Sequence, residues 1–314
     1  MTVATDDLLG LPEALVYPFA FCFGALWGSF LNVCIVRLPL GRSVVFPGSR
    51  CPACDAVIRA YDNIPILSYL LLRGRCRACK APFSSRYMMV ELLMAMLALA
   101  FVHAFGLSFT TLAYFLLAMG LIVATFVDLA HGFIPNEVSY LLAIAGLGLS
   151  LVPDATVKPL DAFVGAACGG GGLFLVAWIY RFARGGHGLG FGDMKLLFGI
   201  GAFVGWKALP LLIFLASAQG VVIALVAFAA RRGKPLALWE RPSDAARSDP
   251  GTEVSAQPAA ATEGAPAPAD EDDYDDGPPP GRFAIPFGPF LALATFEVIF
   301  FGPAIMRTLF GAVL

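Results

Sequence analysis

Two groups of residues in this chain have types and spacings that could do chemistry. The first is a set of four cysteines in two C-x-x-C pairs, Cys51-Pro-Ala-Cys54 and Cys76-Arg-Ala-Cys79, with 21 residues between them. Each pair can present two thiolates to one metal from a tight turn. Two such pairs complete the tetrahedral sulfur site that Zn²⁺ prefers. The separation is one residue beyond the usual window for ribbons of this kind. The competing chemistry is a pair of disulfides, which belongs to an oxidising compartment. A site closed by four thiolates leaves no position for substrate, so the metal would be structural and would fold a loop with little core of its own. The remaining cysteines, Cys22, Cys34 and Cys168, lie in apolar runs and read as buried thiols without chemistry.

The second group is two aspartates 65 residues apart, Asp128 in Thr125-Phe126-Val127-Asp128-Leu129 and Asp193 in Gly190-Phe191-Gly192-Asp193-Met194-Lys195. Both stand at the edge of long apolar segments. Two carboxylates at one depth can share a proton, because both do not easily ionise side by side. One then serves as base on a water and the other as acid towards a carbonyl, which is peptide hydrolysis without a metal. The alternative is that each aspartate caps a helix end, a role for which Asp193 is well placed. Capping alone leaves the Gly-x-Gly-Asp context and the matched depth unexplained. Glu91 and Glu297 are also embedded in apolar segments. Glu91 reads as snorkelling or pairing with the basic loop before it, and Glu297 as pairing within the bundle.

The elements that must position these groups are membrane helices. Of 314 residues, 58% are hydrophobic and 14% charged, with a mean hydropathy of +0.77. A soluble domain is about 25% charged. This composition excludes a soluble enzyme, a disordered chain, a disulfide-rich secreted domain and a nucleic-acid binder. At about 20 apolar residues per crossing, the chain reads as eight transmembrane helices near 15–36, 87–106, 109–128, 136–152, 160–181, 194–206, 208–230 and 285–310, the sixth being the shortest. Helices alone satisfy the backbone in lipid at these lengths, so the fold class is all-α, a polytopic membrane bundle. The first helix is not expected to be a cleaved signal peptide, because Asp6, Asp7 and Glu13 stand where a basic region would be.

Basic residues orient the bundle. Of the 21 Lys and Arg, all but Lys158, Lys207 and Arg307 fall on one side of an eight-crossing topology, nine of them in 37–86. The positive-inside rule places that side in the cytoplasm and the N-terminus outside. A cytoplasmic 37–86 loop is in a reducing compartment, which favours metal over disulfides at the four cysteines. The organisation expected is a helix in 1–36, the cysteine loop in 37–86, a membrane core in 87–232, an insertion in 233–281 and a last helix in 282–314. The insertion is rich in Ala, Pro and acidic residues, including Asp270, Glu271, Asp272, Asp273, Asp275 and Asp276. It offers nothing to bury and is expected to be a disordered linker, with docking as the alternative.

These residues, taken in order, resemble a known family. Gly28-Ser29-Phe30-Leu31-Asn32-Val33 continues into Arg37-Leu38-Pro39. The two C-x-x-C pairs follow, with Asn63-Ile64-Pro65 and Ser68-Tyr69-Leu70 between them. Then come Arg86-Tyr87 with Glu91-Leu92-Leu93, Asp128-Leu129 with Ile134-Pro135, Gly190-Phe191-Gly192-Asp193-Met194-Lys195-Leu196-Leu197 and Ile285-Pro286-Phe287-Gly288-Pro289-Phe290-Leu291-Ala292. Outside 233–281 the chain is similar to the bacterial type IV prepilin peptidases, membrane aspartic proteases of the GxGD type. The resemblance implies an inner-membrane enzyme of a pilus or secretion system. It would cut the basic leader from prepilins or pseudopilins at the cytoplasmic face and then methylate the new N-terminal amine with S-adenosylmethionine. It implies Asp128 and Asp193 as the catalytic pair, and Gly74 as a glycine tied to methyl transfer. One departure is Ile134-Pro135-Asn136, where the family usually carries an aspartate at the third position. That position is not the catalytic one, so activity is expected to survive. The alternatives are a peptidase that has lost methylation, and a transporter using the two aspartates as a proton relay.

Overall fold

In a computed structural model the described residues are 12–153, 155–184, 190–230 and 286–310. They form helices α1 (Glu13–Arg37), α2 (Leu67–Leu71), α3 (Arg86–Phe105), α4 (Phe109–His131), α5 (Asn136–Ser150), α6 (Pro159–Arg184), α7 (Phe191–Val204), α8 (Leu209–Ala230) and α9 (Gly288–Phe310). Among the described residues there is no strand, only two isolated bridges in the cysteine loop. The insertion 233–281 lies outside the described residues.

The eight longer helices fall where the apolar runs predicted them. Six, namely α1, α3, α4, α6, α8 and α9, are long and apolar enough to cross a membrane. The other two correct the expectation of eight equivalent crossings. At 1.5 Å per residue α5 and α7 reach only about 22 and 21 Å, short of an apolar layer about 30 Å thick. The chain still alternates in direction. Gly24 and Gly28 of α1 pack on Ala95 and Glu91 of α3, an antiparallel pairing, and α3 turns back into α4 through 106–108. Gly146 of α5 meets Ala202 and Phe203 of α7, while Ser139 and Leu142 meet Gly199, so these two short helices run parallel. Helix α6 returns antiparallel to α7, its Gly165 against Gly201 and its Gly169 against Leu197. Arg37, Arg86, Asp128, Asn136 and Gly190 consequently share one face, and Lys158 and Lys207 lie at the other.

Packing is that of a membrane bundle. Phe101, Met94, Leu117, Leu121, Leu196, Leu197, Ile200 and Leu291 are fully buried and form one core across α3, α4, α7 and α9. The outside is also apolar: Leu141, Ile144, Phe163, Trp178, Phe214 and Phe228 are exposed. A helix that is hydrophobic all round belongs in lipid. Helix association there depends on close packing of small residues, as where Gly165 and Gly201 bring two backbones together. Of the three cysteines expected to be buried, only Cys34 is. Cys22 and Cys168 sit on the outer, exposed sides of α1 and α6, because an apolar run in this setting does not distinguish the core from the lipid-facing surface.

Candidate active site

Asp128 lies one turn before the end of α4, which Gly132 closes in the left-handed conformation with its N–H bonded to the Asp128 carbonyl at 2.8 Å. The helix runs three residues further than the sequence suggested, and the Asp128 side chain is buried, 5% exposed. Asp193 is the third residue of α7, inside its first turn instead of ahead of it, and half-buried. No side-chain bond caps α7 at Gly190. The two carboxylates are near enough to interact electrostatically. Ile134, in the turn after α4, is the wedge that gathers the site. It packs against Gly192 at the start of α7 and against Gly288 at the start of α9.

The start of α9 contributes directly. The Gly288 N–H donates to Asp128 Oδ2 at 3.0 Å, spending one of the N–H groups that a helix start leaves without an internal partner. A Cβ built on Gly288 would lie 2.7 Å from that same oxygen. Glycine is therefore required by close approach. Pro286 and Pro289 flank it, and helix α9 begins at Gly288 itself. Next to the pair, Lys195 Nζ donates to Asn136 Oδ1 at 2.8 Å and lies over the Tyr140 ring. Asn136 thus keeps, as a hydrogen bond, the link that an aspartate would make as an ion pair.

The four cysteines converge. All four Sγ atoms lie within 4.8 Å of one another, and Cys51 Sγ is 3.8 Å from Cys79 Sγ. Four thiolates at about 2.3 Å from a tetrahedral Zn²⁺ are roughly 3.8 Å apart, so the residues fit such an ion, and all seven thiols are free of disulfides. The two halves are copies of one another. Cys51 N–H bonds to Ala56 O at 3.0 Å and Asp55 N–H to Cys51 O at 2.9 Å, while Cys76 N–H bonds to Ala81 O at 2.9 Å and Lys80 N–H to Cys76 O at 3.0 Å. Asp55 and Lys80 both take positive φ, and the bridges Arg50–Val57 and Arg75–Pro82 close the two turns. The segments Arg50-Cys-Pro-Ala-Cys-Asp-Ala-Val57 and Arg75-Cys-Arg-Ala-Cys-Lys-Ala-Pro82 carry this repeat openly. It is the signal that sequence reasoning passed over.

Three contacts tie the loop down. Asp62 takes a two-pronged bond from Arg77, with Nε 2.9 Å from each carboxylate oxygen. Those hydrogen bonds hold the Asp62 carboxyl below the usual carboxylate range. Glu91 is buried and accepts the Ile66 N–H at 2.7 Å. It neither snorkels nor pairs with a basic residue; it is an anchor for the backbone at a residue of positive φ. Asn32, buried in α1, donates to Gly28 O and Tyr87 O and so clamps α1 to the start of α3. Gly74 holds φ +66, its N–H on Tyr69 O at 2.8 Å and its carbonyl taking the Phe83 N–H at 2.7 Å. Glu297 pairs with Gln219 at 2.6 Å, inside the bundle as expected.

Together these features define a multi-pass helical membrane protein that carries two electrostatically coupled carboxylates and a four-cysteine loop at one and the same face. The model of the Bacterial Peptidase A24 N-terminal domain matches residues 22–105, and that of the Type IV leader peptidase family matches residues 115–225. A prepilin leader peptidase/N-methyltransferase of Myxococcus xanthus is 36% identical over 97% of this chain and 96% of its own length. Proteins of the same description from Burkholderia pseudomallei and Neisseria gonorrhoeae are 36% and 37% identical, each over 69% of this chain and over 78% and 84% of their own lengths. No solved structure matches the chain. The chain belongs to the prepilin leader peptidase/N-methyltransferase family.

Proposed function

We propose that this protein removes the leader from prepilins or pseudopilins at the cytoplasmic face of the inner membrane and methylates the N-terminal amine that cleavage creates. The observation that carries the reading is the meeting of Asp128 and Asp193 at the membrane edge, with the Gly288 N–H on Asp128. One carboxylate, ionised, takes a proton from the attacking water. The other, protonated, donates to the carbonyl oxygen as the tetrahedral centre forms. The Gly288 N–H keeps Asp128 in one rotamer through the exchange. The basic residues at this face of the bundle support a cytoplasmic active site with the N-terminus outside. A substrate with a membrane helix and a basic leader would present its scissile bond at that depth.

Cys51, Cys54, Cys76 and Cys79 would hold a Zn²⁺ that supplies the cross-link for the 37–86 loop and takes no part in hydrolysis. S-adenosylmethionine would supply the methyl group as a sulfonium, an activated carbon for attack by a neutral amine. The test is cleavage of a purified prepilin followed by mass spectrometry of the new N-terminus. Asp128→Asn and Asp193→Asn should each abolish cleavage, since the pair acts as a unit, while expression and zinc content stay at wild-type levels. Near-normal cleavage by either variant would remove the dyad.

A further inference from the structure

The short helix α2 turns three leucines outward. Leu67, Leu70 and Leu71 are 49%, 59% and 73% exposed, and their spacing of i, i+3 and i+4 puts them on one side of the helix. The turn before α2 fixes that orientation. Ile66 takes φ +63 after Pro65, and the Ser68 hydroxyl donates to Tyr61 O while accepting the Ile64 N–H at 3.0 Å. Ser68 is thereby buried. Tyr69 and Leu72 share its side and line the cavity between the loop and helices α1 and α3. The leucines point the other way, and among the described residues no segment covers them.

Helix α2 begins at membrane depth. Helix α3 has 20 residues, about 30 Å at 1.5 Å each, which is the whole thickness of an apolar layer. Arg86 therefore stands at the edge of that layer. Glu91, which accepts the Ile66 N–H at 2.7 Å, is five residues further in, about 7 Å along the axis. Its side chain leans back towards the helix start, so Ile66 and the first turn of α2 lie in the outermost part of the layer. At this level Gly28 of α1 packs against Glu91, and the outer sides of both helices are apolar: Leu26 and Phe30 of α1 and Met89, Leu92 and Leu93 of α3 are exposed. The leucines of α2 extend that lipid-facing surface. The charge fits as well. Segment 37–86 carries nine Lys and Arg against two acids, Asp55 and Asp62, both already paired with Arg50 and Arg77. Exposed Arg73 follows α2 directly. An apolar helix face beside basic side chains suits an interface of anionic lipid.

We propose that α2 lies in the lipid leaflet at this face, with Leu67, Leu70 and Leu71 among the upper acyl chains and Arg73 at anionic headgroups. The cysteine loop is then held by the membrane surface as well as by α1 and α3. Lipid is the occupant because it is the solvent at that depth, and because the leucine face is continuous with the lipid-facing sides of α1 and α3.

The test uses the full chain in nanodiscs of phosphatidylcholine and phosphatidylglycerol, with bromine on the acyl chains either near the headgroup or near the methyl end. Leu71→Trp adds its emission to that of the four native tryptophans. Bromine near the headgroup should cut the added emission at least twofold, and by more than bromine near the methyl end. Met96→Trp, at an exposed position ten residues into α3, should show the reverse order. Absence of bromine quenching in Leu71→Trp overturns the proposal: quenching by iodide instead would put the face in water, and quenching by neither would put a protein segment over it. A second readout does not depend on an added ring. Leu70→Asp combined with Leu71→Asp should speed hydrogen exchange at 67–72 at least tenfold in the nanodiscs, with zinc content as the fold control. Unchanged exchange would mean that the leucines gain nothing from lipid, and would overturn the proposal too.

Discussion

Replacing Gly288 by alanine should damage hydrolysis without unfolding the bundle. The added Cβ would stand 2.7 Å from Asp128 Oδ2, and ordinary contact begins near 3.4 Å. Either the carboxylate or the start of α9 must then retreat by about 0.7 Å, which stretches the 3.0 Å Gly288 N–H bond to a length that no longer counts as one. A hydrogen bond to a charged group contributes about 1.5–3 kcal/mol. At 1.36 kcal/mol per decade, its loss in the transition state corresponds to a fall in kcat of roughly 10- to 150-fold. Misplacement of a reacting group by a comparable distance has a similar cost of about a hundredfold. The assay is single-turnover cleavage of a purified prepilin in detergent, with zinc content and thermal melting as fold controls. Cleavage within threefold of wild type, with both controls unchanged, would mean that the Gly288 contact does not position the dyad.

The cysteine site should fail as a unit: Cys51→Ser or Cys76→Ser should each remove the single Zn²⁺, read by elemental analysis, and open the 51–79 segment to proteases. Glu91→Ala leaves the Ile66 N–H without its acceptor at a cost of about 1–3 kcal/mol, so hydrogen exchange at 64–72 should speed up by roughly 5- to 150-fold, while Glu91→Gln keeps an acceptor and most of the protection. The Asp62–Arg77 link has a sign fixed by its direction. Its folded carboxyl lies below the unfolded value of about 3.9, so its contribution is whole above that pH and is lost as pH falls through the folded value. Proteolysis of the loop should be flat between about pH 8 and 5 and rise below about pH 4, more steeply in wild type than in Asp62→Asn.

What was legible in the sequence divides by range. Helix positions were set by apolar runs that read directly as length along a bilayer, and the eight long helices fall within a few residues of them. The shortness of α5 and α7 was half visible. The run at 194–206 stood out as the shortest, but the 136–152 run reads as a full span because the turn at 151–153 is as apolar as the helix. Glu91 was misread because its partner is a backbone N–H in a loop 25 residues away. A carboxylate has no sequence-level sign of preferring an amide to an arginine. The cysteine repeat was in plain view at an offset of 25 residues, hidden by the charge reversal from Asp55 to Lys80.

The dyad shows how far such reasoning extends. Depth is a one-dimensional quantity, and counting crossings put Asp128 and Asp193 at one face from sequence alone. Lateral position within that face is not one-dimensional. Nothing in the spacing of 65 residues says that α4 and α7 are neighbours, since α5 and α6 intervene in the chain. The neighbourhood is made by small residues: α5 lies along α7 through Gly146 and Gly199, α6 closes on α7 through Gly165 and Gly201, and Ile134 fits between Gly192 and Gly288. The glycines that the sequence displays as motif letters are therefore points of contact between helices. The bond from Gly288 to Asp128, across 160 residues, is the last of these contacts, and it joins the packing of the bundle to the orientation of the carboxylate.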